Sequence, residues 1–563
     1  MNENIVKSKE NRRKIYISLL VTVICLIGLT YALFTIFLKQ TENNSLATRT
    51  CFSTSLTEAT SKITLDKAYP LTHEKGLETT PFTFKLTNNC DKPVKVYITI
   101  DSTYRTSTSS SYLSDSYIRE NINLKGETTA PSVVLTEQPL KEIDNGNQGY
   151  VIKETWLEAN EEKEYDLRLW MDESVTVEQG LNKTWKGSVV VSAVAETKLP
   201  TWDNPEDGTL LAAIKRDNTV TTPKTTPGSE ISSDTEAVLA STADDYGTSY
   251  YFRGAVTNNF VEYANMCWRI VRVTGDGSIK LVLYNYNGLT STNNTPSSST
   301  PCNVTGNDLA YARYEGDTYD SKFNSNGNAY VGFMYGTAGA SSYADAHANT
   351  NASAILTNLN KWSTNVLSKQ ANFKDSQLAD TIWCNDKSVV TDTTFNPDSY
   401  TLGTNYGYGT NTNYYSATKR LVQASSLSAG GTGPSLICPN DNNGGKLSKY
   451  TVSDTTYGNG NLDKKIGLLT ADELALAGYA YKLQNSTTYL QENATDTYWW
   501  SLSPFYFRGS YANVWGVDGF DGYFGDDYVD DTVAVRPSIS LKSTTNVSGN
   551  GTSENPYKIV SSN

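Results

Sequence analysis

The residues best suited to chemistry lie in one stretch late in the chain. From Ser503 to Leu541 there is no Lys, Gln, Glu or Met. The stretch offers instead Phe505, Tyr506, Phe507, Arg508, Ser510, Tyr511, Asn513, Trp515, Asp518, Phe520, Asp521, Tyr523, Phe524, Asp526, Asp527, Tyr528 and Asp530, set among glycines. Such a palette suits recognition, because rings give contact area at small entropic cost and short polar side chains adapt their hydrogen bonds. These residues are the expected ligand contacts. Tyr506, Tyr511, Phe520, Tyr523 and Tyr528 are expected to stand at least partly exposed. The plainer alternative is an ordinary Tyr-, Gly- and Asp-rich surface.

The same stretch concentrates carboxylates at Asp518, Asp521, Asp526, Asp527, Asp530 and Asp531. Hard cations take several such oxygens, but the Asp-x-Asp-x-Asp-Gly order of an EF-hand is missing. The cluster reads as a solvated acidic loop, with calcium as the alternative and no other cofactor expected. Covalent catalysis has little to work with. The chain holds two histidines, His73 and His347. His347 falls in Ser342-Tyr343-Ala344-Asp345-Ala346-His347, which reads as a polar loop rather than a buried acid–His–Ser arrangement. No Gly-x-Ser-x-Gly elbow occurs, so no enzymatic activity is expected. Against 60 Asp and Glu stand 47 Lys and Arg, a net charge of −13 that argues against nucleic acid as a partner.

The elements that position these residues begin with the cysteines. Of seven, Cys25 lies in an apolar run; the other six are Cys51, Cys90, Cys267, Cys302, Cys384 and Cys438. An even number predicts three disulfides, of the kind formed in oxidising compartments. Cys51 and Cys90 both precede a polar spacer, which favours pairing them. No Cys-x-x-Cys motif points to zinc. Ile15–Leu38 is 24 residues without a charge, and as a helix it would be about 36 Å long, enough to cross a bilayer. Five basic residues precede it and only Lys39 follows closely, which places the amino terminus inside. The expectation is a cytoplasmic tail over 1–14, a transmembrane helix over 15–38 attached to the cell membrane, and an extracellular remainder.

Residues 46–198 show period two. Phe82, Phe84 and Leu86 alternate with polar residues, then Val94, Val96, Ile98 and Ile100 do the same, which predicts a hairpin with one buried face. About 150 such residues suggest an all-β, Ig-like sandwich. Residues 199–240 read as a linker, with a short helix from Leu210 and a Thr/Pro-rich loop. From 241 to 563 the order is strands, helix, polar loops, helix, strands. Trp268–Val273 and Ile279–Leu283 predict a hairpin. Ile355, Leu359, Trp362 and Val366 share one helical face, and Thr470 with Glu473 predicts a capping box.

Leu65 to Thr72 and Thr83 to Asn88 resemble a camelysin-like family of secreted matrix proteins. Asp380 to Asp386, Pro434 to Cys438, Ile466 to Glu473, Tyr498 to Pro504, Val535 to Ile539 and the closing Gly549-Asn550-Gly551-Thr552 resemble C-type-lectin-like surface domains, a group that includes formylglycine-generating-enzyme-like modules. That resemblance implies an α+β C-type-lectin-like domain over 241–563 and a Cys384–Cys438 pair, leaving Cys267–Cys302. Every residue from Pro504 to Thr532 except Trp515 has a codon ending in a pyrimidine, so the stretch also resembles the variable region of diversity-generating-retroelement target proteins. Together these readings imply a membrane-anchored, multidomain adhesin or receptor whose head contacts an extracellular protein or glycan. The alternative is a matrix or fibre subunit assembling through its sandwich.

Overall fold

The computed structural model describes residues 69–89, 93–102, 111–127, 131–144, 147–180, 182–194, 199–324, 332–337, 340, 342–403, 412–439, 448–508 and 511–560, and the short strands 35–39, 54–58 and 64–66. The chain divides into two compact units, Met1–Lys198 and Leu199–Asn563.

In the first unit two six-stranded sheets enclose one apolar core. One sheet runs Thr35–Lys39, Thr184–Val194, Val94–Ser102, Asn147–Leu157, Leu140–Asp144; the other runs Thr54–Glu58, Phe82–Asn88, Glu162–Asp172, Ile118–Leu124, Val133–Val134. Phe82, Phe84 and Leu86 are buried while Thr83, Lys85 and Thr87 are half-buried. The expected hairpin is not formed. Phe82–Asn88 pairs with Glu162–Asp172, whereas Val94–Ser102 pairs with Asn147–Leu157 and Thr184–Val194 in the opposite sheet. Alternation fixes which face is buried, not which strand lies alongside. Two strands that bury the same kind of face can share a core from opposite sides. Within this core Asp115 accepts hydrogen bonds from Ser102 Oγ at 2.6 Å, Trp185 Nε1 at 2.7 Å and Tyr150 Oη at 3.1 Å. Glu120 is also buried, accepting from Gln138 Nε2 at 2.7 Å, and burial pushes its carboxyl up to about 7.

The expected transmembrane helix, and with it the single-pass membrane localisation, is corrected here. Among the described residues no helix is long and apolar enough to cross a membrane. Thr35–Lys39, the expected end of the span, is instead a strand antiparallel to Thr184–Val194, with Leu38 opposite Val191. Thr, Ile and Phe suit a strand once a neighbouring edge supplies backbone partners. Residues 1–34, including Cys25, lie outside the described residues, as do Cys51 and Cys90.

The second unit is also mostly sheet, not the expected α+β domain. Its longest described helix, Ala354–Asn365, starts at the cap Ser353 and buries Ile355, Leu359 and Trp362. The predicted capping box of Ala471–Ala477 is present, with Thr470 and Glu473 each accepting from the other's backbone N–H. An eight-stranded sheet contains Met266–Val273 and Ile279–Asn285, joined late in the chain by Ser538–Leu541 and Tyr557–Ile559. Residues 199–240 are not a linker but part of this unit. Leu210, Leu211 and Ile214 enter its main core, and the Thr/Pro-rich stretch is bound through Lys224 N to Glu236 Oε1 at 2.6 Å and Arg253 to Thr225 Oγ1 at 2.6 Å. A stretch poor in apolar side chains still has backbone groups to satisfy.

Charged residues run through this core. Glu473 accepts from Lys280 Nζ at 2.7 Å and Arg272 Nε at 2.8 Å, and Arg272 also reaches Asp244 at 2.8 Å. Burial works against the Glu473 carboxylate, but Lys280 and Arg272 outweigh it and hold the group down at about 2. Arg420 bridges Asp472 at 2.7 Å and Asp386 at 2.9 Å. Disulfides join Cys267 to Cys302 and Cys384 to Cys438.

Candidate functional site

The second sheet of this unit carries most of the expected contact residues. Its central strand Trp499–Arg508 lies between Thr412–Tyr414 and Tyr511–Val517, and the latter pairs with the edge strand Phe524–Tyr528. Register places Tyr414, Tyr506, Asn513 and Tyr528 opposite one another in one row across four strands. Thr412, Arg508 and Tyr511 form the next row. Opposed residues project from the same face, so these two rows present tyrosines, one threonine, one amide and one guanidinium.

The sheet divides the aromatic residues of 505–528 into two populations. Phe505, Phe507, Trp515 and Phe524 are fully buried. Trp515 packs on Phe505 at 4.8 Å, on Phe524 at 4.7 Å and on Tyr481 at 5.2 Å, while Phe507 meets Tyr415 at 5.6 Å. These are framework, not contacts. Tyr506, expected to be exposed, is only 7% so, because Tyr400, Tyr414 and Tyr511 surround its ring at 6.2, 6.0 and 6.5 Å. Tyr511 and Tyr523 are half-buried. Tyr528 and Phe520 are 44% and 74% exposed. Tyr511 and Tyr528 pack edge to face at 5.1 Å, and the Arg508 guanidinium lies 4.0 Å above the Tyr400 ring. Ser510 lies outside the described residues.

Phe520 is turned outward by its loop. Asp518 Oδ1 accepts from Phe520 N at 2.9 Å, and Asp521 Oδ1 accepts from Tyr523 N at 2.8 Å. Gly522, at φ +73°, passes so close to Asn485 that a Cβ would fall 2.2 Å from its carbonyl oxygen. Only glycine fits that approach.

The carboxylates do not converge as a calcium site would require. Asp518 and Asp521 cap the loop, Asp526 Oδ2 accepts from Asn513 Nδ2 at 2.8 Å, Asp527 accepts from Tyr528 N at 2.9 Å, and Asp530 is half-buried. Among the described residues no group of three or more His, Cys, Asp or Glu is placed to hold a metal ion. Burial and the nearby Asp398 push the Asp526 carboxyl up to about 6; burial and Asp531 push Asp527 up to about 7. His347, read as lying in a polar loop, is buried and stacked on Tyr343 at 4.3 Å.

Sequence reasoning missed Tyr400, Tyr414, Asp398 and Lys482. Tyr414 Oη donates to Asp398 at 3.2 Å, and Lys482 lies close enough to lower the proton affinity of both Asp398 and Asp526. Asp398 and Tyr400 share one segment, but Tyr414 and Lys482 come from others, and no spacing within one window links all four. The only local signal is Asn396-Pro397-Asp398-Ser399-Tyr400, a turn composition that presents an aromatic.

No protein-family model, curated protein or solved structure matches this chain.

Proposed function

We propose that the chain is a non-catalytic recognition protein whose contact face is the outer side of this sheet, centred on Tyr400, Arg508, Tyr511 and Tyr528, with Phe520 at its margin. The carrying observation is the pairing of exposed rings with a rigid floor. Tyr511 and Tyr528 share one face of their strands with the buried Trp515 and Phe524, and on the opposite face Ala512 and Val514 are fully buried beside Phe507. A face held by its own core loses little entropy on binding, which is where aromatic hot spots arise. A palette that diversification of Asn codons would produce supports the same reading.

The test compares the full chain with a Tyr511→Ala/Tyr528→Ala variant for binding to a glycan array and to intact cells, alongside melting. Binding that falls at least ~30-fold with an unchanged fold supports the reading, since a hot spot contributes about 2 kcal/mol or more. Equal binding by both proteins overturns it. Diversification has its own test. A reverse transcriptase gene and a near-copy of the codons for 498–536 beside the gene would support it, and their absence would remove it.

A further inference from the structure

The row of tyrosines contains one group without a partner. Asn513 is 5% exposed, and its Oδ1 is buried with no hydrogen bond among the described residues. Its amide orientation is fixed, because Nδ2 donates to Asp526 Oδ2, which leaves the oxygen as the orphan. Register sets that oxygen between Tyr506 and Tyr528. A buried acceptor without a donor costs free energy and is uncommon.

The neighbouring charges are also incomplete. Asp398 and Asp526 both act on Tyr400 and Tyr481, and among the described residues neither carboxylate lies within ion-pair distance of a cation. The nearest cations, Arg508 and Lys482, favour the charged carboxylates from a distance without pairing with them: Arg508 lies on Tyr400, and Lys482 Nζ stands 5.5 Å from the Tyr481 ring. Acceptors therefore outnumber donors here. Tyrosine faces attract cations through their ring quadrupoles, and the whole chain is acidic at −13.

We infer that the tyrosine face takes a basic side chain of a protein partner, an arginine or lysine whose N–H groups satisfy Asn513 Oδ1 and Asp526 and whose charge lies between the rings of Tyr506 and Tyr528. This inference rests on the recognition reading above and names the chemistry of its ligand. A neutral glycan supplies hydroxyl donors but no charge, so it would leave the two carboxyl groups uncompensated.

The experiment titrates the full chain with an arginine-rich peptide and with the same peptide carrying citrulline, an uncharged isostere, followed by calorimetry. The arginine peptide is expected to bind at least ~10-fold more tightly, the scale of one charge-assisted hydrogen bond. Asp526→Asn, which keeps the shape, is expected to abolish that preference with melting unchanged. Equal binding of the two peptides, binding of neither, or an undiminished preference in Asp526→Asn overturns the inference. The glycan and cell binding of the Tyr511→Ala/Tyr528→Ala variant separates the two failures. If that binding is lost while the peptides are not distinguished, the face stands and the cationic ligand falls.

Discussion

In the sandwich, buried and half-buried residues alternate along Phe82–Asn88. In the second unit, Met266–Val273 and Ile279–Asn285 are buried at every position. A strand with one wet face can leave its polar residues in water. A strand covered on both faces cannot, so Arg269, Arg272 and Lys280 become interior residues. Each then needs partners from elsewhere in the chain. Arg272 finds Asp244 and Glu473, and Arg269 finds Asn259 Oδ1 at 2.7 Å. The sandwich is specified by pattern, whereas the second unit is specified by pairing across long sequence separations.

The sharpest way to break this comparison is to remove one partner in each unit. Glu473→Ala leaves Lys280 and Arg272 buried without their shared carboxylate and should cost about 3–5 kcal/mol in chemical denaturation. Removing the exposed Glu162 partner of Lys85 in the sandwich should change nothing measurable. A refinement replaces Arg272, Lys280 and Glu473 together by apolar residues of similar size and changes Asp244, the other partner of Arg272, to Asn so that no buried charge is left unpaired. If the cluster serves specificity rather than stability, that variant should come within about 2 kcal/mol of the wild type or exceed it.

Next in size is Phe84→Ala in the sandwich core, expected to cost about 3–4 kcal/mol. Loss on that scale from an uncharged residue would show that the two units reach similar stability by different routes.

A third test uses the acid of the sandwich. Glu120 holds its proton up to about 7, against an ordinary 4.5. The folded state therefore binds that proton more tightly than the unfolded chain does. The associated stability is present in full below pH 4.5 and is lost as pH rises through about 7. Denaturation between pH 5 and 8 should show the sandwich weakening by up to ~3 kcal/mol, and Glu120→Gln should flatten that slope. A wild-type slope that persists in the variant would assign it to another group.

The smallest effect belongs to the recognition face. Tyr528→Ala should move stability by no more than ~0.5 kcal/mol, as for other exposed positions. A large loss in melting would make Tyr528 part of the framework beside Trp515.

Legibility followed the same division. The inward faces of Phe82–Leu86 and Val94–Ile100, the helix Ala354–Asn365 and the Thr470 capping box were readable because each is a short-range pattern. The sheet to which each strand belongs was not readable, because period two carries no partner information. The apolar run ending at Leu38 was misread for the same reason, since hydropathy does not distinguish bilayer from sheet neighbour. Residues 199–240 read as a linker in sequence because many of their contacts are polar and distant, as in Arg253 to Thr225. In 505–528 composition pointed to contacts, but Tyr528 and Phe524 share a face, and only the packing of Tyr479 and Trp515 on Phe524 separates them. Tyr400 and Asp398 could be placed only by the folded chain.

The late strands of the second unit also set an order of events during synthesis. Tyr557 pairs with Val261, and Ile539 pairs with Leu281. Until those residues leave the ribosome, Phe260–Tyr263 and Ile279–Asn285 lack neighbours on one edge and expose backbone groups and apolar side chains. The sandwich draws all its strands from the first 198 residues and can close while the rest is still being made. At ~5–20 residues per second the later unit waits tens of seconds for its last strand. Through that interval the unit presents unpaired strand edges and apolar side chains, the condition in which incomplete chains engage chaperones and proteases.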